Sequence, residues 1–175
     1  ALTSPNDWAN ADHDIIGDLL VWAATYETST GRAPQAVLVS REVFALIAKN
    51  NGVIVDAGRP VGASRASQAD IQAVLSDNGL PALTIVNERK VTVKDIYTGN
   101  DEVIEYMPVN RVVFVSEGVG NFLLGPTVEN NFQPGIFLDA YDNKEPIQSI
   151  FRAVAAGFPA IEAPELLFHA DVYTV

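Results

Sequence analysis

Two histidines, His13 and His169, are the side chains best suited to proton transfer near neutral pH, and they stand at opposite ends of the 175-residue sequence. His13 lies in Asp12-His13-Asp14, a run of residue types that ligate metals. Neighbours in a helix point to different sides, so this spacing reads as a capped, solvated helix start rather than a ligand set. His169 alternates onto the polar side of a strand, which gives it a surface or interface role. No G-x-S-x-G pattern marks a nucleophile. Gly118-Val119-Gly120-Asn121-Phe122-Leu123-Leu124-Gly125 follows a strand pattern and has the look of a phosphate-binding loop. Its third glycine is spaced wrongly for a dinucleotide fingerprint, and Pro126 follows where a helix should start, so it reads as a turn-rich loop. Asp70, Asp77, Asp95, Asp101, Glu102 and Glu105 fit ordinary helix, turn and hairpin charges. Trp8 and Trp22 could form a ligand platform, but Trp22 sits in a helical pattern and reads as packing. No catalytic, cofactor-binding or metal residue is assigned, and no cofactor or enzymatic activity is expected.

Composition narrows the classes further. The sequence is 48% hydrophobic and 19% charged, enough to build a core. It has no cysteine, which excludes disulfides and thiolate metal sites. Net charge is −11, and the basic residues are scattered, with Arg89-Lys90 the one adjacent pair. DNA binding needs clustered cations, so no specific nucleic-acid partner is expected. No apolar run is long enough for a spanning helix, and no membrane partner is expected. The first residues lack both a signal-peptide pattern and an initiator Met, so the chain is expected to be processed or a piece of a longer one.

The elements that would position these residues follow from periodicity. Asp12–Thr28 predicts a helix with the stripe Ile15, Ile16, Leu19, Leu20, Ala23 and Ala24, capped by Asp12. Ala36–Val39 predicts a strand, and Ser40 caps a helix over 41–50. Residues 51–66 read as an irregular loop, and Ser67 caps a helix over 68–76. Leu83–Val86 is a strand. The period-two run from Arg89 to Met107 predicts a hairpin turning at Gly99-Asn100-Asp101, with one face wet. Arg111–Val115 is continuously apolar and reads as a central strand. Residues 116–135 read as loop, and 135–143 as a strand. Two long extended segments, 147–161 and 166–175, close the chain as a ribbon. Alternation in the second puts Leu166, Phe168, Ala170 and Val172 on one face. Such a ribbon is marginal unless something covers it.

Three stretches carry a resemblance: 30–50 (TGRAPQAVLVSREVFALIAKN), 97–115 (YTGNDEVIEYMPVNRVVFV) and 155–172 (AAGFPAIEAPELLFHADV). Their order and spacing resemble the C-terminal portion of the major capsid proteins of tailed bacteriophages, in particular the lambda-like major capsid protein E family. The resemblance implies an α+β fold, the capsid fold of tailed phages. It would make residues 1–32 the end of the spine helix in a peripheral domain, 33–146 an axial domain, and 147–175 the peripheral domain's long strands packed against that helix. It also implies a structural subunit that self-assembles, as pentamers and hexamers, into the shell around phage DNA in the host cytoplasm. Scaffold, protease, portal and decoration proteins are the further partners implied. The family carries an N-terminal arm and extended loop with no counterpart here, which implies a fragment. Residues 51–66, with Gly52, Gly58 and Gly62, are placed by the resemblance as candidates for capsomer-centre contacts. Two readings stay open beside this one: an encapsulin-like compartment, and a small α+β ligand-binding domain or enzyme using residues 118–125.

Overall fold

A computed structural model describes residues 2, 7–60, 62–145 and 147–174. These residues form two compact units. The first holds residues up to Glu117 and from Glu165 onward, and the second holds Gly118–Pro164.

The first unit is built on a parallel pair that its sequence has to connect by a crossover. Strand β1 (Ala36–Ser40) pairs in parallel with β2 (Ala82–Val86). A parallel pair cannot be closed by a tight turn. Three helices fill the connection: α2 (Arg41–Lys49), α3 (Asn51–Asp56) and α4 (Gln68–Asp77). Antiparallel β5 (Arg111–Val115) and β9 (Leu167–Asp171) extend the sheet to the order β2-β1-β5-β9. The register puts Val37, Val39, Leu83, Val112, Phe114 and Phe168 on one face. Helices α2–α4 and α1 (Ile15–Thr30) cover that face with Ile15, Leu19, Tyr26, Val43, Ile47, Val53, Ile71 and Leu75. Phe114 and Phe168 meet edge to face, with centroids 5.9 Å apart. The layer is thus a half-sandwich, helices on one side, with the hydrophobic burial concentrated between them.

Caps place each helix. Asp14, not Asp12, caps α1: its carboxylate accepts from the Gly17 N–H at 2.8 Å, and the helix starts at Ile15. Asp12 is engaged elsewhere, its carboxylate accepting from Asn51 Nδ2 at 2.7 Å. The segment expected as a loop from 51 begins with α3. Asn50 is the reason: buried, it accepts from the Val53 N–H and donates to the carbonyls of Ala11 and His13 at 3.0 and 2.8 Å. One side chain both starts the helix and ties down the segment before α1. Val61, later in the same stretch, lies outside the described residues. Ser67 and Asp70 form a capping box on α4. The Ser67 N–H and hydroxyl, with Arg59, hold the half-buried Asp70 carboxyl below its usual range.

In the first unit the buried hydroxyls find partners. Tyr26 is fully buried, and its hydroxyl donates to the Leu166 carbonyl at 3.0 Å. Its one proton is then committed, so Ser116, 2.5 Å away, is the donor to it. This bond joins α1 to the segment entering β9.

The C-terminal segments do not form the expected ribbon. Strand β8 (Ile147–Ile161) lies in the second unit, between β6 (Gly120–Gly125) and β7 (Ile136–Lys144). Strand β9 pairs with β5 in the first unit instead. A short 3-10 turn, Pro164–Leu166, separates them. The alternation expected for β9 holds as far as Val172, with Leu166 and Val172 buried; Val175 lies outside the described residues.

Arg111 and Asp171 face each other across β5 and β9, with Nε to Oδ1 at 2.8 Å and Nη2 to Oδ2 at 3.3 Å. The Arg111 side chain's hydrogen bonds hold the Asp171 carboxyl below its usual range, against partial burial that pushes it up. A depressed carboxylate stabilises the fold above its unfolded pKa, about 3.9, and loses that contribution as pH falls through the lower folded value. Asp171→Asn should therefore lower stability by about 1 kcal/mol at pH 7 and by much less near pH 2. Urea melts of both proteins across pH 2–7 check this.

Candidate assembly surfaces

The second unit is a three-stranded antiparallel sheet whose side chains must fall on two faces. Its register assigns Phe122, Leu124, Ile136, Leu138, Phe151 and Ile161 to the same face. All six are exposed, Leu138 at 75% and Phe151 at 82%. The opposite face carries Phe137, Ile150, Arg152 and Val154, and Phe137, Ile150 and Val154 are half-buried. Glu129, from the loop between β6 and β7, lies 4.0 Å from Arg152 on that second face. That contact touches only part of the second face, where Leu123, Tyr141 and Phe158 are also exposed, while the first face carries the larger set of exposed apolar side chains.

Residues 118–125, expected as a loop, are mostly strand β6. Glu162 N–H donates to the Val119 carbonyl at 2.9 Å and sets the phase of the β6–β8 ladder. In that phase Phe122 and Pro159 form a non-bonded pair, so the N–H that proline lacks falls on the edge away from β6. Gly157 is required by the same packing: a Cβ there would come within 2.7 Å of the Phe122 ring and 2.8 Å of the Leu123 carbonyl. Alternate backbone groups of this run bond into the ladder, which makes it an edge strand rather than the turn-rich loop its glycines suggested.

A second open element sits in the first unit. Strands β3 (Lys90–Lys94) and β4 (Asp101–Glu105) form a hairpin that pairs with no other described strand. Val91, Val93 and Ile104 share one face, and all are exposed. At the tip Asp95 organises the turn. Its carboxylate accepts from Thr98 Oγ1 at 2.6 Å and from the Tyr97 N–H at 2.9 Å. Those two bonds, the hydroxyl first, hold the Asp95 carboxyl below its usual range. The fixed turn presents Ile96 and Tyr97 at 94% and 98% exposure.

The other residues singled out by their chemistry are placed in structural roles. Asp18 accepts from Trp8 Nε1 at 2.9 Å and meets His13 Nε2 at 2.7 Å. Trp8 is buried and stacks on Trp22 with centroids 5.6 Å apart, so the two rings occupy each other. His169 is exposed on the outer side of the first unit's sheet, opposite Val113. Among the described residues, no cluster of three or more His, Asp or Glu could hold a metal ion. No helix of the described residues is long and apolar enough to cross a membrane.

The sequence pattern missed the open apolar face. The signal was present: β8 has apolar residues at both parities, which suits a strand covered on both sides. Nothing in the local pattern says which cover belongs to this chain.

Because Leu138 and Phe151 are exposed, replacing both with Lys should leave the urea midpoint almost unchanged, within about 0.5 kcal/mol. The same variant should weaken any self-association of the chain at least about tenfold. Paired urea melts and sedimentation velocity check the two halves.

No protein-family model and no curated protein matches the sequence. Solved structures do match. A phage-related protein from Bordetella bronchiseptica superposes with a TM-score of 0.62 at 13% identity, over 96% of this chain and 55% of that one. A prophage protein from Escherichia coli CFT073, provisionally named a capsid protein, gives a TM-score of 0.56 at 12% identity, over 95% of this chain and 50% of that one. The chain spans about half the length of each. It therefore has the α+β fold seen in these two phage-related proteins.

Proposed function

We propose that this chain is the shell-forming part of a phage or prophage major capsid subunit, of the lambda-like type its sequence resembles. The observation that carries the reading is the open apolar face of the β6-β8-β7 sheet, on a fold shared with a prophage protein provisionally named for the capsid. A sheet needs one face out of water, and an exposed patch this apolar marks an interaction site. A second copy of the same chain is the simplest cover in a closed shell. The role is structural on this reading, with no substrate turned over. The net charge of −11 suits a container that does not grip its DNA. Residues 1–32 and 147–175 remain assigned to a peripheral part and 33–146 to an axial part. Those assignments describe positions in a shell and differ from the two compact units. Assembly in the host cytoplasm and partners such as scaffold, protease, portal and decoration proteins belong to the same proposal.

The encapsulin-like alternative shares the fold argument and differs in cargo. The ligand-binding alternative loses the loop it rested on, since residues 120–125 are a paired strand.

The test is negative-stain electron microscopy of a protein that contains this chain and matches the length of its structural relatives. Closed shells of uniform size are expected, with nucleic acid rather than protein cargo when made with its neighbouring genes. Folded monomers at high concentration would overturn the proposal.

A further inference from the structure

The β3–β4 hairpin has two unpaired edges, and their chemistry differs. Two bonds fix which residues line them. The Tyr106 N–H donates to the Arg89 carbonyl at 3.0 Å, and the Asp95 N–H to the Asn100 carbonyl at 2.9 Å. The register sums are constant along the hairpin, so residues 89, 91, 93 and 95 bond inward to 106, 104, 102 and 100. The N–H and C=O groups of Lys90, Thr92 and Lys94 therefore point outward on one edge. Those of Asp101, Val103 and Glu105 point outward on the other. One free edge is basic and the opposite edge is acidic. Within the hairpin Lys90 stands opposite Glu105 and Lys94 opposite Asp101, yet neither pair closes to an ion pair, and Glu105 has Arg89 3.3 Å away. Glu102 lies on the other face, with Val91, Val93 and Ile104.

Free edges invite strand addition, and charge decides which additions are allowed. Two copies related by a twofold axis would pair like edges. Pairing β3 with β3 sets Lys90 opposite Lys94, twice. Pairing β4 with β4 sets Asp101 opposite Glu105, twice. Like charges directly opposite destabilise a pair of strands. Pairing the β4 edge of one copy with the β3 edge of the next is antiparallel and sets Glu105 opposite Lys90 and Asp101 opposite Lys94. We infer that copies of this chain associate head to tail through this hairpin, the acidic strand of each bonding to the basic strand of its neighbour. Such a contact is heterologous, so it repeats from copy to copy rather than stopping at a dimer. The inference deepens the capsid-subunit reading and rests on it for the identity of the partner, a second copy.

The chain has no cysteine, so engineered thiols report contacts cleanly. Thr92→Cys and Val103→Cys in one chain sit opposite each other and should form an internal disulfide, which confirms that the hairpin is formed. Thr92→Cys in one copy, mixed with Val103→Cys in another and oxidised, should give a covalent heterodimer, with neither variant dimerising alone. Adding Lys94→Glu to the Thr92→Cys copy should cut the yield about tenfold. Asp101→Lys in the Val103→Cys copy should restore it. Homodimers of either single variant would show twofold pairing and overturn the inference. Absence of the heterodimer overturns it too. Where shells still form by microscopy, the capsid reading survives that result; where neither link nor shell forms, both fail.

Discussion

The structure turns on the need of every β-sheet to keep at least one face away from water. The four-stranded sheet meets it internally. Val37, Val39, Val112 and Phe114 reach near-complete burial because α1–α4 lie over them. Burial of that kind stabilises by roughly 25 cal/mol per Å² of apolar surface, and a side chain such as Phe114 contributes about 2–3 kcal/mol. The β6-β8-β7 sheet and the β3–β4 hairpin have no such cover within their own units. Their apolar side chains are ordered by strand pairing alone.

That contrast separates what holds the chain together from what it can offer to others. In the first unit, polar groups inside the core are hydrogen-bonded, as with Tyr26, Ser116 and the Leu166 carbonyl, or Asn50 with the carbonyls of Ala11 and His13. These bonds pin the chain ends and helix starts around a closed core. In the second unit, close packing serves the strand ladder. Gly157 under Phe122 and Pro159 with its ring nitrogen on the open edge are both choices that protect the ladder. The outcome is a stiff apolar surface, which binds at lower entropic cost than a flexible one.

Much of this was legible in the sequence where local rules and burial agree. Ser40 and Ser67 cap helices as expected, the hairpin forms although it turns over 95–100 rather than at 99–101, and Arg111–Val115 is an inner strand of the sheet. The failures share a physical cause. Asn50 starts a helix because two carbonyls far back in the chain fix its side chain, which no local window contains. Gly120 and Gly125 read as loop residues, yet the long-range ladder to β8 overrides their weak strand propensity. The two closing segments look alike in composition, and only pairing partners distant in sequence send β8 and β9 to different sheets. The candidate surface was hidden for the opposite reason: its residues look like core, and exposure is a property of the folded chain.

Amide hydrogen exchange tests the central claim most directly, comparing the dispersed chain with its assembled form. Residues 90–105 and 120–161 should exchange readily when dispersed and gain protection on assembly, while β1, β5 and α2 are protected in both. Assembly that leaves exchange in those two regions unchanged, and protects other surfaces instead, would contradict it.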